Sequence, residues 1–313
     1  METNKMRECE NDVTIEGILS EISISETSYM KDNKKVEAVG GVLKIRVPNK
    51  DGSINDIPVH MFSNKYKKDG TPNSIYKSIE TIKDTYVSIA ACGNEEQADR
   101  VRVSSGKIQM NEFTSQNGNL ISFPRITCNF VNRVKPEEYK PQAVFSVEFV
   151  IGRAGYETTK DGLETDRYKI EGVVVGYNER VDLVPFYTSN QNVTDVVSQY
   201  WSEGDTVKAS GRLNFSSKTE TYTKPVDFGE PIEETRTINI SELLITGGSQ
   251  TPLDGSLAYD MEDIKKGLVA RKARLEAAKE KNMSGVKNRT APAVNRPSTF
   301  DLGNKSSTLD LGF

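Results

Sequence analysis

The chain has 313 residues, of which 35% are hydrophobic and 27% are charged, and its formal net charge is −4. This length allows two domains of about 100–150 residues each, and the polar composition is typical of small β-barrels that bury one face of every strand. His60 is the only histidine and the three cysteines are scattered, which excludes histidine-based catalysis, a cysteine zinc site and a disulfide framework. We therefore predict that the protein is not an enzyme and has no catalytic residues, no metal and no cofactor.

The N-terminal residues 1–11 are charged and lack the apolar stretch of a secretory signal. No apolar run approaches the roughly 20 residues that a membrane-crossing helix needs. We therefore predict a flexible N-terminus, no membrane partner and a cytoplasmic location.

Charge is divided unevenly along the chain. Residues 1–249 carry 30 Lys and Arg against 37 Asp and Glu, a net charge of −7, whereas residues 250–313 carry 11 against 8, a net charge of +3. Any nucleic-acid binding by the acidic body must therefore use a local groove rather than a global positive field.

Two stretches of the chain, 12–134 and 143–247, present the same features in the same order. Each has an apolar strand closed by Ser-Asn, an amphipathic helix, a strand with a Ser-Gly-cation-apolar motif and a last strand. These features lie at 56–64, 74–83, 105–108 and 124–134 in the first stretch, and at 182–190, 193–201, 210–213 and 237–245 in the second. The repeat indicates an internal duplication.

A helix between the third and fourth of five antiparallel strands is the OB topology, whereas a jelly roll or a sandwich has more strands and no such helix. We therefore predict a mainly β protein with two tandem five-stranded OB-fold barrels at 12–135 and 143–248, each with a helix between strands 3 and 4. The first strand of each barrel is followed by a long polar stretch, 25–40 or 153–167, which we predict to be a loop.

The C-terminal part has a different composition. Residues 256–282 contain a thin apolar stripe and seven cations, so we predict a basic helix that either adds affinity for DNA or is simply solvated. Residues 283–313 are predicted to be a disordered linker that ends in a repeated motif, Thr-Phe-Asp-Leu-Gly and then Thr-Leu-Asp-Leu-Gly-Phe. An apolar side chain beside anions suits a pocket rimmed by Arg or Lys, although an ordinary disordered end remains the alternative. The predicted partner-binding tail residues are Phe300, Asp301, Leu302, Asp310, Leu311 and Phe313.

Residues 196–213, Val-Val-Ser-Gln-Tyr-Trp-Ser-Glu-Gly-Asp-Thr-Val-Lys-Ala-Ser-Gly-Arg-Leu, resemble the helix-to-fourth-strand region of bacterial and bacteriophage single-stranded DNA-binding proteins. The closing Asp-Leu-Gly-Phe also looks like the acidic tip of that family, although only one Asp precedes the apolar residues and Gly312 stands where a proline is usual. The resemblance covers about a third of the second repeat and reaches the first only through the duplication.

This resemblance implies a protein that coats and protects single-stranded DNA in replication or recombination, and that recruits replication or recombination proteins through its C-terminal tip. Two barrels in one chain look more like a phage-encoded form, which implies the cytoplasm of the host cell. The departure from one barrel per subunit leaves the oligomeric state open.

Binding of single strands needs aromatic faces that stack on bases and cations that contact phosphates. Strand parity places such side chains on the polar faces of the barrels. In the first barrel the predicted nucleic-acid-binding residues are Lys44, Arg46, Phe62, Lys107, Phe113, Phe123 and Arg125. In the second barrel they are Tyr156, Lys169, Tyr177, Tyr187, Arg212, Lys218 and Tyr222.

Several aromatic residues have a structural alternative. Phe113 and Phe123 could pack under a loop, whereas Trp201 and Phe215 are predicted to lie in the core, and His60 to face the groove or the solvent. At the level of function, the acidic body favours one alternative, a protein-interaction or virion-structural protein with barrels as a scaffold. RNA binding is the other, because stacking grooves accept both sugars.

Overall fold

The structure is a computed structural model that describes residues 5–49, 52–115, 118–159, 161–224 and 232–286. Alternating apolar and polar residues form its strands, and apolar residues three and four apart form its helices. The elements of the first repeat are β1 (Asn11–Lys31), β2 (Lys34–Pro48), β3 (Ile54–Asn64), α1 (Ser74–Thr85), α2 (Ile89–Cys92), β4 (Arg100–Thr114), β5 (Leu120–Thr127) and β6 (Asn132–Arg133). Those of the second repeat and the C-terminal part are β7 (Gln142–Thr158), β8 (Glu164–Gly176), β9 (Arg180–Thr188), α3 (Gln191–Tyr200), β10 (Thr206–Lys224), β11 (Ile232–Gly248) and α4 (Met261–Val286).

The five long strands of each repeat close into a ring. In the first repeat β1 pairs with both β2 and β4, and β3 pairs with β5 in parallel, which gives the order β1-β2-β3-β5-β4. In the second repeat β7 pairs with both β8 and β10, which gives β7-β8-β9-β11-β10. We call these rings the first barrel and the second barrel. The mainly β prediction is confirmed, and the predicted helices α1 and α3 lie between the third and fourth strands, as in an OB fold.

Inward-facing side chains fill both barrels, and strand parity predicted their orientation. In β2, Leu43 and Ile45 are buried while Lys44 and Arg46 alternate with them on the outer face. The same alternation in β4 and β5 confirms the predicted outer faces. The outward side chains of these two strands are Lys107, Gln109, Asn111, Phe113, Phe123, Arg125 and Thr127.

The predicted core aromatics of the second barrel are also confirmed. Trp201 and Phe215 are both buried, and the indole Nε1 of Trp201 donates a hydrogen bond to the carbonyl of Ser249 at 3.0 Å. The two helices begin at asparagine caps, because the side chains of Asn73 and Asn190 accept hydrogen bonds from backbone amides in the first turn.

The predicted loops at 25–40 and 153–167 are wrong, because both stretches are mostly strand. They form hairpin arms, β1–β2 and β7–β8, that extend beyond the barrels. The β1–β2 arm reverses at Asp32 and Asn33, whose φ angles of 48° and 58° fit a two-residue type I′ turn. Most side chains on this arm are exposed on both faces, so the sequence lacks the apolar alternation that marks a half-buried strand.

The two barrels are related by a pseudo-twofold axis. The Ser-Gly-cation motif makes Gly106 and Gly211 equivalent, and these residues pair with Val13 and Phe145 respectively. Val13 and Phe145 also pair with each other across an antiparallel β1–β7 ladder of six residue pairs. Because equivalent residues meet at the centre of this ladder, the barrels join in one eleven-stranded sheet in the manner of an isologous dimer.

Strand pairing also corrects the register of the duplication by one residue. On β5, Thr127 lies opposite Lys107 of β4 and His60 of β3, and on β11, Leu244 lies opposite Arg212 of β10 and Tyr187 of β9. His60 is therefore equivalent to Tyr187. The sequence alignment of 56–64 with 182–190 paired His60 with Phe186, which faces the core. The Ser-Asn ends that suggested it are not structurally equivalent.

Reciprocal polar contacts join the third strand of each barrel to the fourth strand of the other. The side chain of Asn55 donates to the carbonyl of Leu213 at 3.2 Å and accepts from the amide of Phe215 at 3.0 Å. Across the pseudo-twofold axis, the amide of Met110 donates to the carboxylate of Asp182 at 3.3 Å. These contacts satisfy buried polar groups and fix the relative position of the barrels.

Helix α4 packs on β4 and β9, so it touches both barrels. Ile264 is fully buried, and Gly267 lies so close to β9 that an added Cβ would be 2.4 Å from a methyl of Val181. Arg271 forms an ion pair with Glu112 of β4. This helix is charged along its length, and in the described part of the chain no helix has the apolar length that a lipid bilayer demands.

Part of the N-terminal segment predicted to be flexible packs on the second barrel. Cys9 is buried and its amide donates to the carbonyl of Val175 at 2.8 Å. Arg7 forms an ion pair with Glu148 at 2.6 Å and lies 4.6 Å from the ring centroid of Tyr259. These contacts tie residues 7–9 to the strands rather than to solvent.

Candidate nucleic-acid interface

A pocket of about 370 Å³ opens on the outer face of the first barrel, where β2, β3, β4 and β5 meet. Strand pairing assembles its floor, because Val42 lies opposite His60 and His60 lies opposite Thr127. The residues that line it are Gly41, Val42, His60, Met61, Phe62, Gln109, Arg125, Thr127, Cys128 and Asn129. The pocket therefore brings together two predicted site residues from different strands, Phe62 and Arg125.

Arg125 lines this pocket and forms no ion pair in the described part of the chain, although the negative charge of Asp182 acts to raise its pKa. Among the described residues no carboxylate forms an ion pair with its guanidinium, and its buried Nε has no hydrogen-bond partner. Burial lowers the pKa of Arg125 below its usual value, and the nearby positive charge of Arg180 acts in the same direction. A partly desolvated guanidinium with free donors is suited to a phosphate or to the edge of a base.

Phe62 supplies an exposed aromatic ring to the same pocket. Its side chain is 56% exposed, and its centroid lies 6.4 Å from that of Tyr29 on the β1–β2 arm. The hydroxyl of Tyr29 donates to the side chain of Asn64 at 3.0 Å, which orients the second ring. An exposed ring and a cation in one pocket are the groups that base stacking and phosphate contact together require.

His60 lies between these two groups, and its surroundings disfavour the charged imidazole. Burial lowers the pKa of His60 below its usual value of about 6.5, and the positive charge of Arg125 lowers it further. Because the folded-state pKa lies below the unfolded value, His60 favours the folded state above pH ~6.5, and this contribution is lost as the pH falls through the folded-state pKa.

Replacing Arg125 with glutamine is expected to raise the pKa of His60, because the substitution removes a neighbouring positive charge but leaves the burial. His60 is the only histidine, so its imidazole Hε1 signal can be followed through an NMR pH titration without ambiguity. Arg46→Gln is a matched control, since Arg46 is not among the groups that shift this pKa. An equal pKa of His60 in the wild type and in Arg125→Gln would contradict the electrostatic effect of Arg125 on this imidazole.

The structure places two other predicted cations of the first barrel against carboxylates. Lys44 forms an ion pair with Glu21 at 2.6 Å, and Arg46 pairs with Asp56 at 3.1 Å and with Glu95 at 2.8 Å. The hydrogen bonds that Arg46 donates to Asp56 and then to Glu95 raise the pKa of its guanidinium further above the usual value. A phosphate would have to compete with these carboxylates for both cations.

The remaining predicted residues of the first barrel extend the outer face along β4 and β5. Phe113 is 42% exposed and meets half-buried Phe123 edge to face, with the ring centroids 6.3 Å apart. The loop-covered alternative therefore does not describe Phe113. Lys107 is exposed, and it forms no ion pair with any described residue.

The equivalent face of the second barrel is internally paired. Arg167 forms ion pairs of 2.9 Å with both Glu157 and Glu242, and its guanidinium lies 4.8 Å from the ring centroid of Tyr187. Burial raises the pKa of Tyr187 to about 12, and Glu157 contributes in the same direction. Lys169 pairs with Glu171 at 3.0 Å.

The other predicted residues of the second barrel are spread over its surface. Tyr156 packs edge to face on Tyr168 in the β7–β8 arm, and Tyr177 is 75% exposed at the opposite end of β8. Tyr222 donates a hydrogen bond to Glu234 near the end of the β10–β11 arm. Arg212 is exposed on β10. The Lys218 side chain and all six tail residues lie outside the part that the structure describes.

The predicted binding residues left out several residues that the structure places at this interface. His60, Gln109 and Thr127 line the pocket, and strand parity in the sequence already places them on outer faces. Tyr29 lies on an arm that was predicted to be a loop. Asn129 follows the end of β5, and no pattern in the sequence marks it.

Comparisons with known proteins give one family match over most of the chain. The model of the YorF family matches residues 10–281. No curated protein matches the chain. Similar solved structures include the wild-type single-stranded DNA binding protein from Thermus aquaticus, with 11% identity and a TM-score of 0.43 over 82% of this chain and 99% of that one. A deletion mutant of the same protein matches with 11% identity and a TM-score of 0.43 over 80% of this chain and 98% of that one.

Proposed function

The chain belongs to the YorF family, and we propose that it binds single-stranded DNA without catalysing a reaction. The observation that carries the proposal is the pocket of the first barrel, which is lined both by the exposed ring of Phe62 and by the guanidinium of Arg125, with which no described carboxylate forms an ion pair. The resemblance of residues 196–213 to single-stranded DNA-binding proteins supports the same function.

In this proposal the phosphate backbone follows the cations Arg125 and Lys107, which belong to the neighbouring strands β5 and β4. One base stacks on Phe62, and the outward rings of Phe113 and Phe123 extend the stacking surface along the same two strands. Stacking of one base contributes about 1–3 kcal/mol. Because neither cation forms an ion pair with a described carboxylate, this local pair of charges can attract a phosphate although the net charge of the chain is negative.

The finer parts of the proposal concern the biological role. The protein coats and protects single-stranded DNA during phage replication or recombination, in the cytoplasm of the host. Its tail recruits replication or recombination proteins through Phe300, Phe313 and the neighbouring Asp and Leu residues. An apolar plug next to a carboxylate is the chemistry that a basic-rimmed pocket recognises.

Fluorescence titration of labelled oligo(dT) with the full chain tests the function. We expect binding at low salt, at least tenfold weaker binding to a matched duplex, and a roughly tenfold loss of affinity between about 50 and 200 mM salt. Deletion of residues 299–313 should leave this affinity unchanged, since the tail serves partners and not DNA. Failure of oligo(dT) to bind at low salt would reject the function in favour of a scaffold protein, and stronger binding to oligo(U) would reassign it to RNA.

A further inference from the structure

The outer faces of the two barrels match position by position but differ in charge. Since Thr127 is equivalent to Leu244, Arg125 two residues earlier on β5 is equivalent to Glu242 on β11. A cation in the first barrel is thus replaced by a carboxylate in the second. The cation at this position attracts a phosphate, whereas the carboxylate repels it.

The carboxylate of Glu242 is used inside its own barrel. It forms an ion pair with Arg167 at 2.9 Å, and Glu157 forms a second ion pair with the same guanidinium at 2.9 Å. Arg167 therefore faces two negative charges, whereas no described carboxylate pairs with Arg125. A phosphate that approached Arg167 would have to displace at least one carboxylate and would be repelled by both.

Tyr187, an aromatic residue of the second face, is covered by a cation. The guanidinium of Arg167 lies 4.8 Å from the ring centroid of Tyr187, which is a cation–π distance. Tyr187, which is equivalent in position to His60, is mostly buried, whereas Phe62 of the first face is 56% exposed. A base can therefore stack on Phe62 without a prior rearrangement, but on Tyr187 only after Arg167 has moved.

We infer that single-stranded DNA binds to the outer face of the first barrel, and that the equivalent face of the second barrel is closed to it by the Glu157–Arg167–Glu242 ion pairs. This inference rests on the proposed function. It makes Arg125 the residue that separates a binding face from a closed one.

Matched substitutions in the full chain test the asymmetry, with an oligo(dT) of about eight nucleotides, which suits one OB fold. Arg125→Ala should lower affinity about tenfold or more, because it removes a charge-assisted contact. Arg167→Ala should change affinity by less than about twofold. In wild-type protein, saturation should require one oligonucleotide per chain.

A variant that is expected to gain a second oligonucleotide site completes the test. The double substitution Glu157→Gln with Glu242→Gln removes both carboxylates from Arg167, so a second oligonucleotide per chain should bind. Arg125→Lys keeps the charge and should retain most of the affinity, and circular dichroism of each variant should match that of the wild type.

The outcomes separate the inference from the function on which it rests. Absence of oligonucleotide binding by the wild type would remove the proposed function. Binding by the wild type with equal losses in Arg125→Ala and Arg167→Ala, or with two equal sites per chain, would leave the function standing and overturn the asymmetry. Unchanged stoichiometry in the Glu157→Gln, Glu242→Gln protein would also count against the closed face.

Discussion

Replacing Gly211 with alanine is expected to lower the free energy of unfolding by more than about 3 kcal/mol, beyond the usual range for one added methyl group. A Cβ at this position would lie 2.0 Å from the carbonyl oxygen of Leu244 and 2.6 Å from the ring of Phe145. The first of these atoms is backbone, so relief requires β10 and β11 to separate. Urea unfolding followed by circular dichroism measures the loss.

Gly106 is the matched control, because it is the equivalent residue of the first barrel. A Cβ there would lie 3.1 Å from the Cβ and the carbonyl oxygen of Val13, a tight contact that small shifts relieve. We expect Gly106→Ala to change the free energy of unfolding by less than about 1 kcal/mol, since alanine also restricts the unfolded chain. If Gly106→Ala and Gly211→Ala lowered the free energy of unfolding by similar amounts, the close contacts at Gly211 would not be the cause of the loss.

The ion pair between α4 and the first barrel gives the second large effect. Glu112 is 3% exposed and Arg271 is 14% exposed, so Arg271→Ala leaves a buried carboxylate that keeps Arg274 at 3.6 Å and a hydrogen bond of 3.4 Å from the hydroxyl of Ser122. Breaking a buried pair on one side costs about 3–5 kcal/mol. Because Arg274 still offsets part of this charge, we expect a loss of about 2 kcal/mol or more in the free energy of unfolding, measured by urea denaturation.

A double-mutant cycle separates the ion pair from general damage to the helix. Glu112→Ala combined with Arg271→Ala removes both charges and should be more stable than Arg271→Ala alone. Lys272→Ala, an exposed cation of the same helix, should have almost no effect. Additive losses in the cycle would mean that Glu112 and Arg271 do not stabilise each other.

The side chains of each strand that face the core were predictable from the sequence, because burial alone decides which face is apolar. Leu43 and Ile45 alternate with Lys44 and Arg46, and this period of two survives in the structure without correction. The hairpin arms were not predictable by the same rule, since strands without a buried face have no alternation to detect. Their strand character comes from backbone pairing and from the turn at Asp32 and Asn33.

The residue types of the candidate site were predictable from the sequence, but the ion pairs that its cations form were not. Parity placed Arg125 on an outer face, but whether a cation is free depends on carboxylates that are distant in sequence. Arg167 forms an ion pair with Glu242 at a sequence separation of 75 residues, and Arg46 with Glu95 at a separation of 49. Such pairs follow from the order and register of the strands. The sequence repeat aligns the two barrels one residue out of register, so it could not predict them.

The β1–β7 ladder has a consequence for any attempt to divide the chain. Residues 11–16 of β1 and 142–147 of β7 pair only because both barrels are present. A barrel produced alone would leave this row of amide and carbonyl groups without its natural partner strand, and such an edge pairs readily with other chains. Separately expressed halves should therefore associate with themselves when kept apart, and with each other when mixed.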